Sequence, residues 1–384
     1  MGRRHKRHLR FRARRALIFA CVAAACRDST GSGPRAHAHR LLLPGTDEGA
    51  AVVVDLDRGA IVRTLGPRFV RQGPSVLTPE GQLITAGRLE NGQSILLGID
   101  SRTGGELWRI PIAQGNEPIP VEGVELGTTA IARHAARPEV FLWRSERFGQ
   151  PGIAVFDYST QRITGFLEMP TNRVRAIAVA RPDVQHPEGC VVAAADGASG
   201  QQTRAYLLFF CGPSYAAQDS MALAPPTQVV SQLELTPGGQ DLVLGSNSEM
   251  LVVDPALRQV RWRASRPLPS PFFASAAGGR YFLADAGTLT VSSSGIIYAL
   301  DSTLELSAVV DLRTALGDER PLGVLGGATS QDGRWLYLVG GVGRDGPAYG
   351  PEQTSLVILE LATGEVKALL RLGTVGGARP YLVP

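Results

Sequence analysis

From residue 40 onward the chain reads as short runs of β-branched and aliphatic residues, each stopped by an acid and then by a turn former. One phrase recurs. It stands as Ala51-Val-Val-Val-Asp55-Leu-Asp-Arg-Gly59, Ile95-Leu-Leu-Gly-Ile-Asp100-Ser-Arg-Thr-Gly104 and Ile153-Ala-Val-Phe-Asp157-Tyr-Ser-Thr-Gln161. It returns as Leu251-Val-Val-Asp254-Pro-Ala-Leu-Arg258, Ile296-Ile-Tyr-Ala-Leu-Asp301-Ser-Thr-Leu-Glu305 and Leu356-Val-Ile-Leu-Glu360-Leu-Ala-Thr-Gly364, with Tyr206-Leu-Leu-Phe-Phe-Cys211-Gly-Pro-Ser as a degenerate copy. The copies are 43 to 59 residues apart. An apolar run of this kind predicts a strand, the acid can accept hydrogen bonds from its own turn, and glycine tolerates a left-handed backbone. A more polar, alternating run follows, as in Ala60-Ile-Val-Arg-Thr-Leu65, Glu106-Leu-Trp-Arg-Ile110 or Gln259-Val-Arg-Trp-Arg263, so each phrase predicts a hairpin with a half-exposed outer strand.

A second phrase precedes most copies: a small or apolar strand, a turn of the Pro-Glu-Gly, Pro-Gly-Gly or Asp-Gly kind, and another apolar strand. Examples are Ser75-Val-Leu-Thr-Pro79-Glu-Gly-Gln-Leu-Ile-Thr-Ala86 and Gly327-Ala-Thr-Ser-Gln-Asp332-Gly-Arg-Trp-Leu-Tyr-Leu338. Together the phrases give four antiparallel strands per repeat, the count and period of a propeller blade. The first repeat, near Arg40-Leu-Leu-Leu43, lacks an innermost strand, and Ala378-Arg-Pro-Tyr-Leu-Val-Pro384 looks like an innermost strand lacking a repeat. The expected fold is all-β: a seven-bladed β-propeller of four-stranded antiparallel sheets over residues 40–384, closed by pairing of its terminal strands.

These repeats resemble the bacterial YVTN/WD40-like propeller repeats, in which a Pro-Asp-Gly turn is followed by an Asp-x-x-Thr-Gly hairpin. Trp108 and Trp262 resemble the tryptophan of the outer strand in pyrroloquinoline-quinone enzyme repeats, although packing between blades is the plainer role for them. The resemblance implies a fold and leaves the activity open, because propellers host binding proteins, scaffolds, lyases and dehydrogenases alike.

The amino terminus adds an address. Arg3, Arg4, Lys6, Arg7, Arg10, Arg12, Arg14 and Arg15 precede ten apolar residues, Ala16 to Ala25. That run is short against the roughly 20 residues a membrane-spanning helix needs, and the arrangement is that of a secretory signal. Its end, Ala23-Ala24-Ala25-Cys26, resembles the lipobox of bacterial lipoproteins, with Ala23 where that motif more often has Leu, and Arg14-Arg15 resembles a twin-arginine signal. The resemblance implies cleavage before Cys26 and lipidation of its thiol. The alternatives are an ordinary cleaved signal or an uncleaved anchor. We therefore expect a signal peptide at 1–25, a flexible tether at 26–39 and a location in the bacterial cell envelope, facing the periplasm or the exterior. The net charge of +4 comes from this leader: the rest has 31 basic side chains against 35 acidic ones, which excludes a basic body that would track nucleic acid.

Cys190 and Cys211 flank two apolar runs joined by a polar link, and a symmetric hairpin turning at Gly200 and Gln201 sets them opposite each other. Export would provide the oxidising compartment for a disulfide; two reduced core cysteines are the alternative. Catalytic motifs are scarce. No His-x-x-x-His pair and no Gly-x-Ser-x-Gly elbow occurs, the repeated acids read as turn formers, and no cofactor and no metal are expected. Irregular insertions are the candidate binding loops: 114–125, Arg144 and Arg147 within 144–150, and Arg344, Asp345, Tyr349 and Glu352 within 344–353. The reading is a binding or scaffold module, anchored in the lipid membrane through Cys26, with an envelope protein or a glycan as partner. The alternative is an envelope enzyme of quinoprotein dehydrogenase or lyase type with its site at the channel.

Overall fold

The computed structural model describes residues 40–46, 49–113, 121–122, 130–144, 152–169, 174–182, 186–196, 205–223, 230–235, 241–246, 249–264, 271–276, 280–285, 296–300, 305–316, 322–330, 333–342, 354–372 and 380–383. In chain order the strands are β1 (Arg40–Pro44), β2 (Ala51–Asp55), β3 (Ala60–Leu65), β4 (Arg71–Leu77), β5 (Gln82–Arg88), β6 (Ser94–Asp100), β7 (Glu106–Ala113), β8 (Val121–Glu122), β9 (Ile131–Arg133) and β10 (Glu139–Arg144). Next are β11 (Gly152–Asp157), β12 (Arg162–Glu168), β13 (Val174–Ala180), β14 (Cys190–Asp196), β15 (Ala205–Cys211), β16 (Ala217–Ala222), β17 (Val230–Leu235), β18 (Leu242–Ser246), β19 (Met250–Asp254) and β20 (Gln259–Ala264). The last are β21 (Pro271–Ala276), β22 (Arg280–Asp285), β23 (Ile296–Leu300), β24 (Leu306–Asp311), a short helix α1 (Leu312–Leu316), β25 (Leu322–Thr329), β26 (Trp335–Val342), β27 (Thr354–Glu360), β28 (Glu365–Arg371) and β29 (Tyr381–Val383).

The expectation of seven four-stranded antiparallel blades is corrected. Six sheets have that form: β29-β1-β2-β3, β9 to β12, β13 to β16, β17 to β20, β21 to β24 and β25 to β28. The strands β4 to β8 make a sheet of five, and its outermost pair is parallel, with Ile112 opposite Val121 and Ala113 opposite Glu122. A hairpin from β7 would give an antiparallel neighbour. Strand β8 instead takes the open edge of β7 in the same direction.

The middle strands read as continuous apolar runs because both of their faces are covered, and alternate residues serve different neighbours. In β2, Val52 and Val54 pack with Tyr337, Val339 and Leu356 of one adjoining sheet, whereas Ala51 and Val53 pack with Leu83, Ile95 and Leu97 of the other. Similar apolar seams join β4–β8 to β9–β12, β9–β12 to β13–β16, β13–β16 to β17–β20, and β21–β24 to β25–β28. Strands β17 and β18 meet β21. The sheets therefore stand radially around a channel, as in a β-propeller. Trp108 belongs to one seam: it is 8% exposed, lies 5.5 Å from the Phe156 ring, and lies across from Gly98, where a Cβ would stand 2.3 Å from the indole.

The recurring acids build the hairpins. Asp55 Oδ1 accepts from the amides of Asp57 and Arg58 at 3.0 Å each, Asp100 Oδ1 from Arg102, Asp157 Oδ1 from Ser159, and Asp254 Oδ1 from Ala256. Four places after each acid the backbone is left-handed, at Gly59, Gly104, Gln161, Arg258 and Gly364, and three of these donate back to the acid's carbonyl. Arg258 keeps φ at 54° while its guanidinium lies 3.7 Å over the Phe209 ring of the neighbouring sheet and bonds to Asp219 at 3.2 Å.

Strand β29 pairs with β1, setting Val383 opposite Arg40 and Tyr381 opposite Leu42, so one sheet is made from both ends of the described chain. Cys190 and Cys211 stand opposite each other in β14 and β15, their Cα atoms 4.3 Å apart, and their sulfurs are bonded.

Candidate functional site

Each sheet has an innermost strand that is paired on one side only, which leaves its other row of N–H and C=O groups open towards the axis. Strands β4, β9, β13, β17, β25 and β29 wall a cavity of about 530 Å³. Two thirds of its lining is small or aliphatic, including Ala132, Ile177, Ala178 and Gly327, and polar side chains make up the rest. Thr78, Arg133, Arg181 and Thr329 each stand at the end of, or one residue beyond, the innermost strand of its own sheet. Because the innermost strands of a propeller run in the same sense, these four groups share one mouth. Glu234 and Tyr381 also line the wall, and Tyr381 Oη donates to the Ser75 carbonyl at 2.9 Å across the junction between two sheets.

The two arginines differ in surroundings. Arg133 faces Glu80, whose carboxyl is held below its usual range by its own backbone amide, Thr78 and Tyr158, with the Arg133 charge adding to the effect. Tyr158 Oη donates to Glu80 at 3.1 Å, and burial followed by that carboxylate pushes the phenol up to about 12, so it stays protonated. Arg181 is exposed and has no carboxylate partner among the described residues. The mouth is thus positive on the β13 side.

The spacing of these arginines is fixed from behind. His134 is 6% exposed, and its Nδ1 accepts from the amides of Ala136 and Arg137 at 3.0 and 2.9 Å. The proton therefore sits on Nε2, which donates to the Glu188 carbonyl at 3.2 Å, in the turn that follows Arg181. Burial holds the His134 pKa below its usual value and keeps the ring neutral, as this geometry requires. Beside it, Arg137 lies 4.6 Å over the Tyr215 ring, pairs with Glu139 at 3.2 Å and donates to the Pro213 carbonyl at 3.1 Å. Tyr215 Oη donates to Glu139 at 2.5 Å, and burial raises its pKa strongly. These bonds tie β9–β12 to β13–β16, and so fix Arg133 relative to Arg181.

Of the residues singled out in the sequence, Arg144 lies at the end of β10 opposite Gly152, a strand position rather than a loop. Cys26, Arg147, Arg344, Asp345, Tyr349 and Glu352 fall outside the described residues. His186 lies beside the bonded Cys190 and Cys211, its ring nitrogen within 4.8 Å of both sulfurs, and in the disulfide neither sulfur offers a thiolate to a metal. Sequence reading missed Arg133, Arg181 and Thr329. The signal was there in register: each ends a small-residue strand at the place where the second phrase has Thr78.

No family model matches this chain, and no curated protein matches it. Solved structures do. The chain is similar to dihydro-heme d1 dehydrogenase NirN, solved in complex with DHE, at 14% identity and a TM-score of 0.54, covering 92% of this chain and 78% of that one. It is also similar to a chain of the mitotic checkpoint complex, at 12% identity and a TM-score of 0.56, covering 88% of this chain and 99% of that one. One neighbour is an oxidoreductase and the other is part of an assembly, so what they share with this chain is the β-propeller fold.

Proposed function

We propose that this chain is a binding module, a propeller tethered at the bacterial cell envelope, which receives a carboxylate-bearing ligand at one mouth of its channel. The observation that carries the reading is the placement of Arg133 and Arg181 at the ends of neighbouring innermost strands, on a wall otherwise rich in small side chains and open backbone edge. A guanidinium pair binds carboxylate through charge-assisted, two-pronged hydrogen bonds. The unpaired backbone rows suit an extended acidic segment of a protein or glycan. The enzyme alternative rests on the fold alone, and neighbours of unrelated activity share that fold.

The test uses the full chain in neutral detergent with a fluorescent oligoglutamate, followed by anisotropy. Binding should weaken by about tenfold or more in the Arg133→Gln/Arg181→Gln double variant. Absence of binding, or equal binding by the variant, would end the reading.

The tether rests on the leader, whose Ala23-Ala24-Ala25-Cys26 supports cleavage and lipidation at Cys26. The intact mass of protein from a bacterial membrane fraction should show diacylglyceryl on a chain beginning at Cys26, with that mass lost in Cys26→Ser. An unmodified leader in both would remove the anchor.

A further inference from the structure

A second cavity, of about 200 Å³, lies between strands β1 to β3 and the turn after β6. Arg40, Arg58, Arg63 and Arg102 line it, together with Asp55 and Ser101. It is a separate place from the channel, and its charge is unbalanced. Asp55 is the one carboxylate of the lining, and its Oδ1 is already taken by the amides of Asp57 and Arg58. Its Oδ2 stands 3.7 Å from Arg58 Nε, a loose contact. Among the described residues Arg63 bonds only to the Arg102 carbonyl, which holds the arm in place without neutralising it. Arg102 has the Asp100 charge nearby, and neither Arg40 nor Arg102 forms a salt bridge among the described residues.

Ser101, 5% exposed, adds a hydroxyl-bearing residue to the lining. Four guanidinium groups line the cavity against one carboxylate, with Asp100 beside Arg102, which leaves a net positive charge that an anion in the space would offset.

We propose that this cavity binds a phosphate group, free or carried on a lipid headgroup. A volume of 200 Å³ is too small for a polypeptide segment and leaves room for a tetrahedral oxyanion with a few waters. Guanidinium forks match phosphate oxygens two at a time, and Ser101 Oγ can donate to another. The turn chemistry explains why the arginines meet: Arg58 and Arg102 follow Asp55 and Asp100 within equivalent hairpins, and those hairpins lie on adjoining sheets.

The experiment is calorimetric titration of the full chain in neutral detergent at low ionic strength. One arm uses inorganic phosphate, and the other uses mixed micelles of the same detergent with phosphatidic acid. Saturable binding is expected in at least one arm. It should fall about tenfold or more in Arg63→Gln/Arg102→Gln and by a smaller factor in Ser101→Ala, with unchanged far-ultraviolet circular dichroism and thermal midpoint showing that the variants fold. A response to phosphate makes the free anion a ligand, and a response to phosphatidic acid alone makes the headgroup the ligand. Silence in both arms, binding that the variants leave unchanged, or an equal response to sodium chloride at matched ionic strength would overturn the proposal. Because the arginine pair lies outside the channel, oligoglutamate binding serves as a separate readout, and its loss or survival does not bear on this pocket.

Discussion

Deletion of Pro380–Pro384 is expected to lower the unfolding free energy by on the order of 3 kcal/mol and to make the protein self-associate. The segment supplies the innermost strand of the closing sheet, with three residues paired to β1. Leu382 packs against the seam that holds Leu41, Val52 and Tyr337, and Tyr381 joins the seam on the opposite face. The Tyr381 hydroxyl also bridges to the Ser75 carbonyl of the adjoining sheet. Removing these groups leaves Arg40–Pro44 as an unpaired apolar edge, a template for pairing with a second chain. Urea unfolding and light scattering would read both effects. An unchanged midpoint together with a monomeric variant would show that β29 contributes little to closure.

The second large effect is expected at the disulfide. Replacing Cys190 and Cys211 together by Ala should cost roughly 3 kcal/mol, from the chain entropy released to the unfolded state when a loop of this size is no longer closed. The bond spans 21 residues of sequence, and both cysteines are buried between β13–β16 and β17–β20. The same loss should appear when the wild type is unfolded under reducing conditions, and the double variant should then respond to reductant no further. Identical urea midpoints with and without reductant would count against a bond in the purified protein. Arg258 lies over this place, its Nη2 3.6 Å from Cys211 Sγ, so the side chain that keeps a left-handed backbone also packs on the sulfur.

Those hairpins were legible because each carries its own physical reasons. An acid accepts from its turn amides, a residue four places on takes the left-handed position, and the run before the acid is apolar on both faces. No distant residue is needed to make that pattern, so a linear reading finds it, and the closing strand follows from the phrase missing at the start. Strand β8 was not legible. Val121-Glu122 is two residues long and pairs in parallel with the edge of β7, a tertiary circumstance. The channel mouth was hidden for a related reason. Arg133, Arg181 and Thr329 come from three sheets, and only their shared register at the ends of small-residue strands, set against Thr78, marks them. The loops picked for their composition hold strand positions, Arg144 and the β8 pair Val121–Glu122, because length and charge in a connection do not say where regular pairing resumes.

Closing a sheet with β29 beside β1 also sets a timetable for the nascent chain. Strand β1 is made first, and its partner emerges only after everything between Arg40 and Val383 has been translated, about 20 to 70 s at ordinary ribosomal speeds. Until then the ring cannot lock, and β1 waits with one flank bare. A ribosome-bound chaperone or a translocon would thus meet an open arc of sheets rather than a finished ring.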